Sequence, residues 1–424
     1  MKTCAIVGIN WGDEGKGRMV DLIAEEYDII VRYQGGNNAG HTIVNEYGKF
    51  ALNLLPSGIF RAEKLNVLGS GTVIDLKHLC MEMERLKSAG VKISPDNLML
   101  SDRAMIVMPY HVALDGMEES RLSDKKYGST KRGIAPVYGD KYMKKGLMLG
   151  ELADMDYLKK HLEDVLEYKN LMVTGIYGEK PFSADDMLAY LEEYGKRLLP
   201  YIHDTGLVLR NAAKEGKSIL YEAQLGVLRD IDFGIYPFTS SSSPLAAYAP
   251  IGSGTPNIPL TRVIGIAKAY STCVGEGPFV GEMDGIEAER LREAGGEYGA
   301  ATGRPRRVAP LDLVATRYGA TMQGATEIAF TKLDVLSYLD KIPVCTAYEV
   351  DGEVTKDFPF PSKLARAKAI IEYRDGWGCD ISHIRNFDEL PEAARDYVLY
   401  VEKELGFRIS FVSVGPGRDE IIVR

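Results

Sequence analysis

Near the N-terminus, Gly12-Asp13-Glu14-Gly15-Lys16-Gly17 packs three glycines, a lysine and two acids into six positions. Glycines allow unusual dihedrals and close backbone approach. At the start of a helix, the free N–H groups and the helix dipole favour an anion. Lys16 adds a mobile cation. The expected chemistry is therefore phosphate binding. A standard phosphate loop continues from Lys to Ser or Thr, whose hydroxyl binds magnesium. Here Gly17 follows Lys16, so Asp13 is the candidate hard oxygen ligand for Mg²⁺. The competing reading is a plain turn with a surface Asp-Glu pair.

Three further clusters carry chemistry. Gln34-Gly35-Gly36-Asn37-Asn38-Ala39-Gly40-His41-Thr42 offers amides for a base or phosphate, and in His41 an acid or an electrostatic partner for a phosphoryl oxygen. Taken alone, His41 could equally be structural. Thr331-Lys332-Leu333-Asp334 has the Lys-x-Asp form that reads guanine through its N1–H and 2-amino donors; a helix-capping Asp is the alternative. The Ser413-Val414-Gly415-Pro416-Gly417-Arg418 segment could close the same base pocket. Thr302-Gly303-Arg304-Pro305-Arg306-Arg307 suits bidentate pairing with carboxylate or phosphate, against the alternative of a solvated basic loop.

These clusters need a scaffold, and the sequence supplies an α/β sheet. Cys4–Ile9 is a short apolar run ending in turn residues, which predicts a buried strand. Helical spacing follows over Lys16–Glu25, then a second strand over Tyr27–Arg32. Further strands are predicted at Asn66–Leu68, Asn97–Leu100, Ser218–Glu222, Arg262–Ala267, Glu327–Phe330, Val344–Val350 and Ile409–Ser413. Both glycine-rich clusters follow strands. They belong at the carboxyl edge of a sheet, where open α/β folds bind ligands. Leu76–Ala89 reads as a helix. Leu152–Glu215 is mostly helical, with Ser183 as an N-cap before Asp185–Leu199 and Gly216 as a stop. The expected class is α/β with a mostly parallel central sheet. A nucleotide-binding part would span 1–101 and 203–273, a helical insertion 102–202, and an α+β part 274–424.

At 424 residues the chain supports two or three domains. No apolar stretch reaches the roughly 20 residues of a membrane helix, and no secretory signal precedes the glycine loop. The net charge of −9 argues against a broad nucleic-acid surface. Five scattered cysteines without a Cys-x-x-Cys pair are expected as buried free thiols in a reducing cytoplasm. Of the six histidines, only His41 lies in a motif-like setting.

Together, in this order and spacing, the four clusters resemble the adenylosuccinate synthetase family, from Val7 to Arg418. Trp11–Gly17 and Gly35–Thr42 are the most specific stretches; Leu55–Gly58, Gly133–Pro136, Asp230–Asp232, Thr331–Asp334 and Gly415-Pro416 support them. The resemblance implies a GDP-forming carbon–nitrogen ligase that couples IMP to L-aspartate with GTP and Mg²⁺, through a 6-phosphoryl intermediate. It implies Asp13 and His41 as catalytic, and Asp13 with the Gly40 backbone as the metal site. GTP would be held by Gly12, Glu14, Gly15, Lys16, Gly17, Arg18, Thr42, Arg306, Lys332, Leu333, Asp334, Ser413, Val414 and Gly415. IMP would meet Asn38, Thr130, Gln224, Leu225, Thr239, Ser240 and Arg304, with Lys144 reaching across a homodimer. Aspartate would meet Ala300, Ala301, Thr302, Gly303, Arg304 and Arg306. The chain departs from the family pattern at Lys144 and Cys273 (arginine), at Leu225 (glutamine, with Gln224 one place earlier), and at Ser240 and Ala301 (threonine). Two rival readings stand beside this one. The first is a ligase of the same mechanism acting on a guanine nucleotide monophosphate. The second is a GTP-binding switch without substrate ligation.

Overall fold

A computed structural model describes residues 1–45, 47–299 and 303–424. Ten strands form one sheet, in the order Ile421–Val423, Ile409–Ser413, Glu327–Thr331, Arg262–Lys268, Thr3–Gly8, Ile219–Gly226, Ile29–Arg32, Leu65–Leu68, Leu98–Ser101, Ile202–His203. Every pairing is parallel except that of the edge strand Ile421–Val423. We name Thr3–Gly8 β1, the helix Lys16–Ile23 α1 and Ile29–Arg32 β2.

β1 lies at the centre because it is apolar on both faces. Cys4 and Ile6 pack with Met19, Val20 and Ile23 of α1, while Ala5 and Val7 pack with Leu209, Tyr221 and Val263. This period-two split, with both faces covered, is why the strands read as nearly continuous apolar runs. All predicted strands are present, seven of them within a residue or two of their expected limits. The exceptions in length are Ile219–Gly226, which runs on to Gly226, and Lys341–Val350, which begins earlier.

The Lys341–Val350 strand does not join the main sheet. It pairs with Leu311–Asp312, Glu353–Thr355 and Lys368–Asp375 in a second sheet. Residues 274–424 nevertheless give three strands to the main sheet, so this stretch is woven into it. The middle region carries helices Pro109–Leu122, Ile134–Met143, Met155–Tyr177 and Ala184–Tyr190. Ser183 caps the last of these, accepting from the Asp186 N–H. A two-residue strand, Ile202–His203, then returns the chain to the sheet edge. Four cysteines are buried free thiols, but Cys379 is exposed, which corrects the expectation for that residue. It sits in an irregular stretch between strand and helix that buries little.

Candidate active site

Because the strands are parallel, their carboxyl ends share one edge of the sheet. That edge receives the loop after β1, the loop after β2, the ends of the Ile219–Gly226 and Arg262–Lys268 strands, Lys332–Asp334, and Ser413–Gly415. Residues hundreds of positions apart thus meet there.

The glycine loop leaves β1 through three left-handed residues, Gly12 (φ 107), Asp13 (φ 59) and Gly15 (φ 104). Asp13 accepts a conformation that costs a non-glycine residue about 1 kcal/mol. Gly15 is the N-cap of α1, and no side chain caps that end, leaving its N–H groups for an anion. The two loop acids have different roles. Glu14 is buried; its Oε1 accepts from the Asn10 and Gly12 N–H groups at 3.2 and 2.8 Å, and its Oε2 meets Lys16 Nζ at 2.7 Å. Its carboxylate holds the loop's own shape. Asp13 stands clear, 30% exposed, with Arg306 NH2 3.1 Å from its Oδ2.

On one flank lies His41, whose ring packs on α1 so closely that a Cβ at Gly17 would sit 2.4 Å from its Cδ2. Its Nε2 is 3.0 Å from Ser57 Oγ and 3.4 Å from Glu222 Oε1. Glu222 also accepts from Ser57 N and Ser57 Oγ at 2.8 and 2.9 Å. Burial pushes the His41 pKa well below the usual value, and the charges of Arg32 and Lys16 push it further. The ring is therefore neutral near pH 7. Burial raises the pKa of Glu222, against the pull of Arg32 and of the Ser57 hydrogen bonds.

On the other flank one carboxylate collects three cations. Glu297 is fully buried and receives Lys268 Nζ at 2.9 Å, Lys332 Nζ at 3.0 Å and Arg306 NH1 at 2.6 Å, with the Tyr270 hydroxyl at 2.5 Å. Burial alone would raise its pKa, but Lys268, Lys332 and Arg306 outweigh it and hold Glu297 well below the carboxylate range. The cluster keeps a surplus of positive charge facing Asp13. Beyond it, Asp334 has a buried carboxylate oxygen with no hydrogen-bond partner among the described residues, and burial raises its pKa. An orphaned acceptor of this kind is costly unless a ligand supplies the donor. Thr331 Oγ1 donates to the Glu14 carbonyl at 2.8 Å, tying this segment to the glycine loop. Arg18 reaches Ser413 Oγ and the Gly415 carbonyl at 2.6 and 2.5 Å, so it shapes the last turn.

The remaining candidates divide. Gln224 is committed to the loop after β2: Oε1 accepts from the Gly36 N–H at 3.2 Å, and Nε2 donates to the carbonyls of Gly36 and Ala39 at 2.9 and 3.0 Å. Leu225, at φ 64, follows a register shift against β1 and lies against Gly12. Asn38 Oδ1 accepts from Gly36 N–H, and Ser240 Oγ is 3.3 Å from Ser242 Oγ, which donates to Gln34. Thr239 is half-buried beside Ser240, and Thr42 is exposed on a hairpin, His41–Asn45 with Gly48–Leu52. Leu333 and Val414 are buried, and Gly40 lies beside Asn53. Arg304 is exposed, 3.7 Å from Glu276, next to Gly303 at φ 65. Thr130 and Lys144 are exposed beyond either end of helix Ile134–Met143. Neither hydrogen-bonds to the two glycine loops among the described residues. Ala300, Ala301 and Thr302 lie outside the described residues. Sequence reading missed Ser57, Glu222, Lys268, Tyr270 and Glu297. The available signal was a charge ending an apolar strand run, as in Ile219-Leu220-Tyr221-Glu222 and Ile264-Gly265-Ile266-Ala267-Lys268.

Fold and site define an α/β protein whose glycine loop, uncapped helix N-terminus and flanking charges meet at the carboxyl edge of a mostly parallel sheet. The family profile described as adenylosuccinate synthetase matches residues 5–422. The adenylosuccinate synthetase of Caldanaerobacter subterraneus subsp. tengcongensis is 44% identical over 424 residues, covering all of this chain and 99% of that relative. The structure of fully ligated adenylosuccinate synthetase from Plasmodium falciparum matches with a TM-score of 0.92 at 35% identity, covering both chains in full. A cyanophage S-2L succinoaminodeoxyadenylate synthetase bound to dGMP and dATP shares the fold at TM-score 0.60 and 16% identity, over all of this chain and 95% of that one. The chain belongs to the adenylosuccinate synthetase family, and it is a ligase.

Proposed function

We propose that this chain joins IMP to L-aspartate at the expense of GTP, yielding adenylosuccinate, GDP and phosphate. Family membership supports the reaction. The observation that carries the assignment of residues is the split between the two loop acids: Glu14 is consumed inside the loop, whereas Asp13 is half-buried at its mouth beside Arg306. Asp13 takes the N1 proton of IMP as the 6-oxygen attacks the γ-phosphorus. The aspartate amine then displaces phosphate from C6. His41, on the opposite flank, serves the transferring phosphoryl group. Lys16 and the bare N-terminus of α1 hold the phosphates, because phosphoryl transfer depends mostly on positioning and charge neutralisation.

The donor set fits magnesium. The half-buried Asp13 carboxylate and the Gly40 carbonyl are hard oxygens, and no group of three or more His, Cys, Asp or Glu forms a metal cage among the described residues. Mg²⁺ in nucleotide sites takes one or two protein oxygens, with phosphates and water completing the shell. When bound it would neutralise charge on the phosphates.

Asp334, with an oxygen unpaired among the described residues, supports guanine as the base of the triphosphate. Arg304 and Arg306 support carboxylate recognition of aspartate, with Gly303 at a left-handed φ between strand and loop; the family resemblance adds Ala300, Ala301 and Thr302. Asn38, Gln224, Leu225, Thr239 and Ser240 border the IMP side, with Thr130. Exposed Tyr142, Met143 and Met148 flank Lys144, which suits burial against a second copy and a homodimer that completes the IMP site. Free cysteines agree with a cytoplasmic setting; no described helix is long and apolar enough to cross a membrane.

The test is a product assay with Mg²⁺ and aspartate, offering IMP or guanosine monophosphate, each with GTP or ATP. Adenylosuccinate from IMP and GTP is the expected product. Product only from the guanine monophosphate overturns the substrate, and GTP hydrolysis independent of IMP and aspartate overturns the ligase chemistry.

A further inference from the structure

Past the carboxyl end of the Ile219–Gly226 strand, one buried guanidinium joins segments that lie far apart in the chain. Arg229 is 8% exposed. Its NH1 donates to the carbonyls of Phe238 and Glu276; its NH2 donates to the carbonyl of Val274 and meets Cys273 Sγ at 3.0 Å. Its own carbonyl accepts from the Ser240 N–H at 2.8 Å. A buried cation is costly unless its donors are filled, and here the fork of N–H groups is spent on main-chain oxygens and a thiol. Arg307 takes the carbonyls in between, Gly275 at 3.3 Å and Gly277 at 2.9 Å. Two arginines thus hold alternate carbonyls of one bend, 274–277. Other site segments lean on that bend. Phe238 packs on Gly277, where a Cβ would lie 2.8 Å from the phenylalanine Cβ. Gly128, two residues before Thr130, faces Glu276 so closely that a Cβ there would lie 3.3 Å from its Cγ. Glu276 Oε1 is 3.7 Å from Arg304 NH2.

We propose that Arg229 is a positioning residue: its guanidinium fixes the bend 274–277 and so sets the distance between the IMP-side pair Thr239-Ser240 and the aspartate-side Arg304. Main chain and side chain act on the same piece, the carbonyl on Ser240 and NH1 on Phe238. The bonds to Val274 and Glu276 then carry that frame across to the bend. The bend needs a brace because Gly275 and Gly277 take left-handed φ values of 88 and 106 and offer no side chains to pack. A lysine ammonium is a single point of charge, whereas acceptors spread over two segments suit a planar fork. Among the described residues none of the hydrogen bonds of this guanidinium reaches the glycine loop or Lys332–Asp334, so GTP should not sense it directly.

This inference rests on the reading that IMP and aspartate bind on these two sides, and the experiment separates the two. Steady-state kinetics and thermal melts of the full chain are measured for Arg229→Met, Arg229→Lys, and Arg229→Met combined with Cys273→Arg. Methionine keeps an unbranched stem and removes the fork. KM for IMP and KM for aspartate should both rise about tenfold or more, as for loss of a charged hydrogen bond, while kcat and KM for GTP move less than about threefold. Arg229→Lys should fall between, and it decides on the same terms if Arg229→Met does not fold. The side chain at 273 already touches the guanidinium. Cys273→Arg can therefore return a guanidinium from the facing side and bring both KM values back to within about threefold of wild type. Unchanged KM for IMP and aspartate overturns the proposal, and so does a rise in only one of them. A fall in kcat with every KM kept also overturns it, because that is what a general loss of folded protein gives. So does a double variant that melts like wild type and recovers neither KM. If wild-type protein makes no product from IMP, the substrate reading fails by itself, and the same comparison with the monophosphate it does accept still judges Arg229.

Discussion

Two buried carboxylates flank the glycine loop, and they are provisioned in opposite ways. Glu297 has three cationic partners and a tyrosine hydroxyl, so its surroundings carry excess positive charge. Glu222 has a serine and a histidine in contact and feels two cations, Arg32 and Lys16, of which Lys16 is already paired with Glu14. The first arrangement stores charge, which an incoming polyanion can use. The second holds a serine and a histidine in fixed contact beside α1. Both flanks bury an acid, but one gathers cations around it and the other a serine and a histidine.

Substitutions can break this division. The largest effect should come from Asp13→Ala, which removes the loop carboxylate that Arg306 meets. Turnover should fall by about 10³-fold or more, while circular dichroism shows a folded chain; activity within tenfold of wild type would misplace the base. Next is Gly17→Ala, which pushes on the His41 flank from the phosphate loop. Its Cβ would need the space of the imidazole edge. A fall in kcat of about 10²-fold is expected in steady-state kinetics, with a smaller change in KM for GTP. An unchanged kcat would show that the ring's seat on α1 is immaterial.

The Glu297 flank answers differently. Asp334→Asn should raise KM for GTP by about 10- to 100-fold and leave kcat nearly intact, since a charge-assisted bond to the base is lost. If GTP kinetics do not change, the orphaned oxygen has another partner. The smallest effect concerns acid stability. Glu297 titrates far lower folded than its ordinary 4.5. Its contribution is present above about pH 4.5 and is lost as pH falls toward the folded value. Thermal melts of Glu297→Gln should therefore fall below wild type at neutral pH and converge with it toward acid; parallel curves would contradict the linkage.

Much of this was readable in the chain order. Cys4–Ile9 and its fellow apolar runs located the main strands, because strands covered on both faces leave a strong local pattern. Glycine spacing located both loops, because left-handed backbone at Gly12 and Gly15 leaves few alternatives. The flanking acids were not readable in the same way. Glu222 meets Ser57 across 165 residues and Lys332 meets Glu297 across 35, and neither separation follows a period. Glu14 and Asp13, adjacent in sequence, were separable only once their exposure was known. The fate of Gln224, spent on Gly36 and Ala39, also depended on the register shift beside β1.

The bond from Thr331 Oγ1 to the Glu14 carbonyl makes the site a caliper. One jaw is Lys332–Asp334, proposed to read the base, and the other is the glycine loop, tied together by this hydroxyl and by Arg306 between Asp13 and Glu297. A nucleoside diphosphate and triphosphate with the same base would then engage both jaws at one setting and differ only at the free end. The spent nucleotide should keep most of the grip of the fresh one, and release after turnover becomes the step at which the enzyme waits.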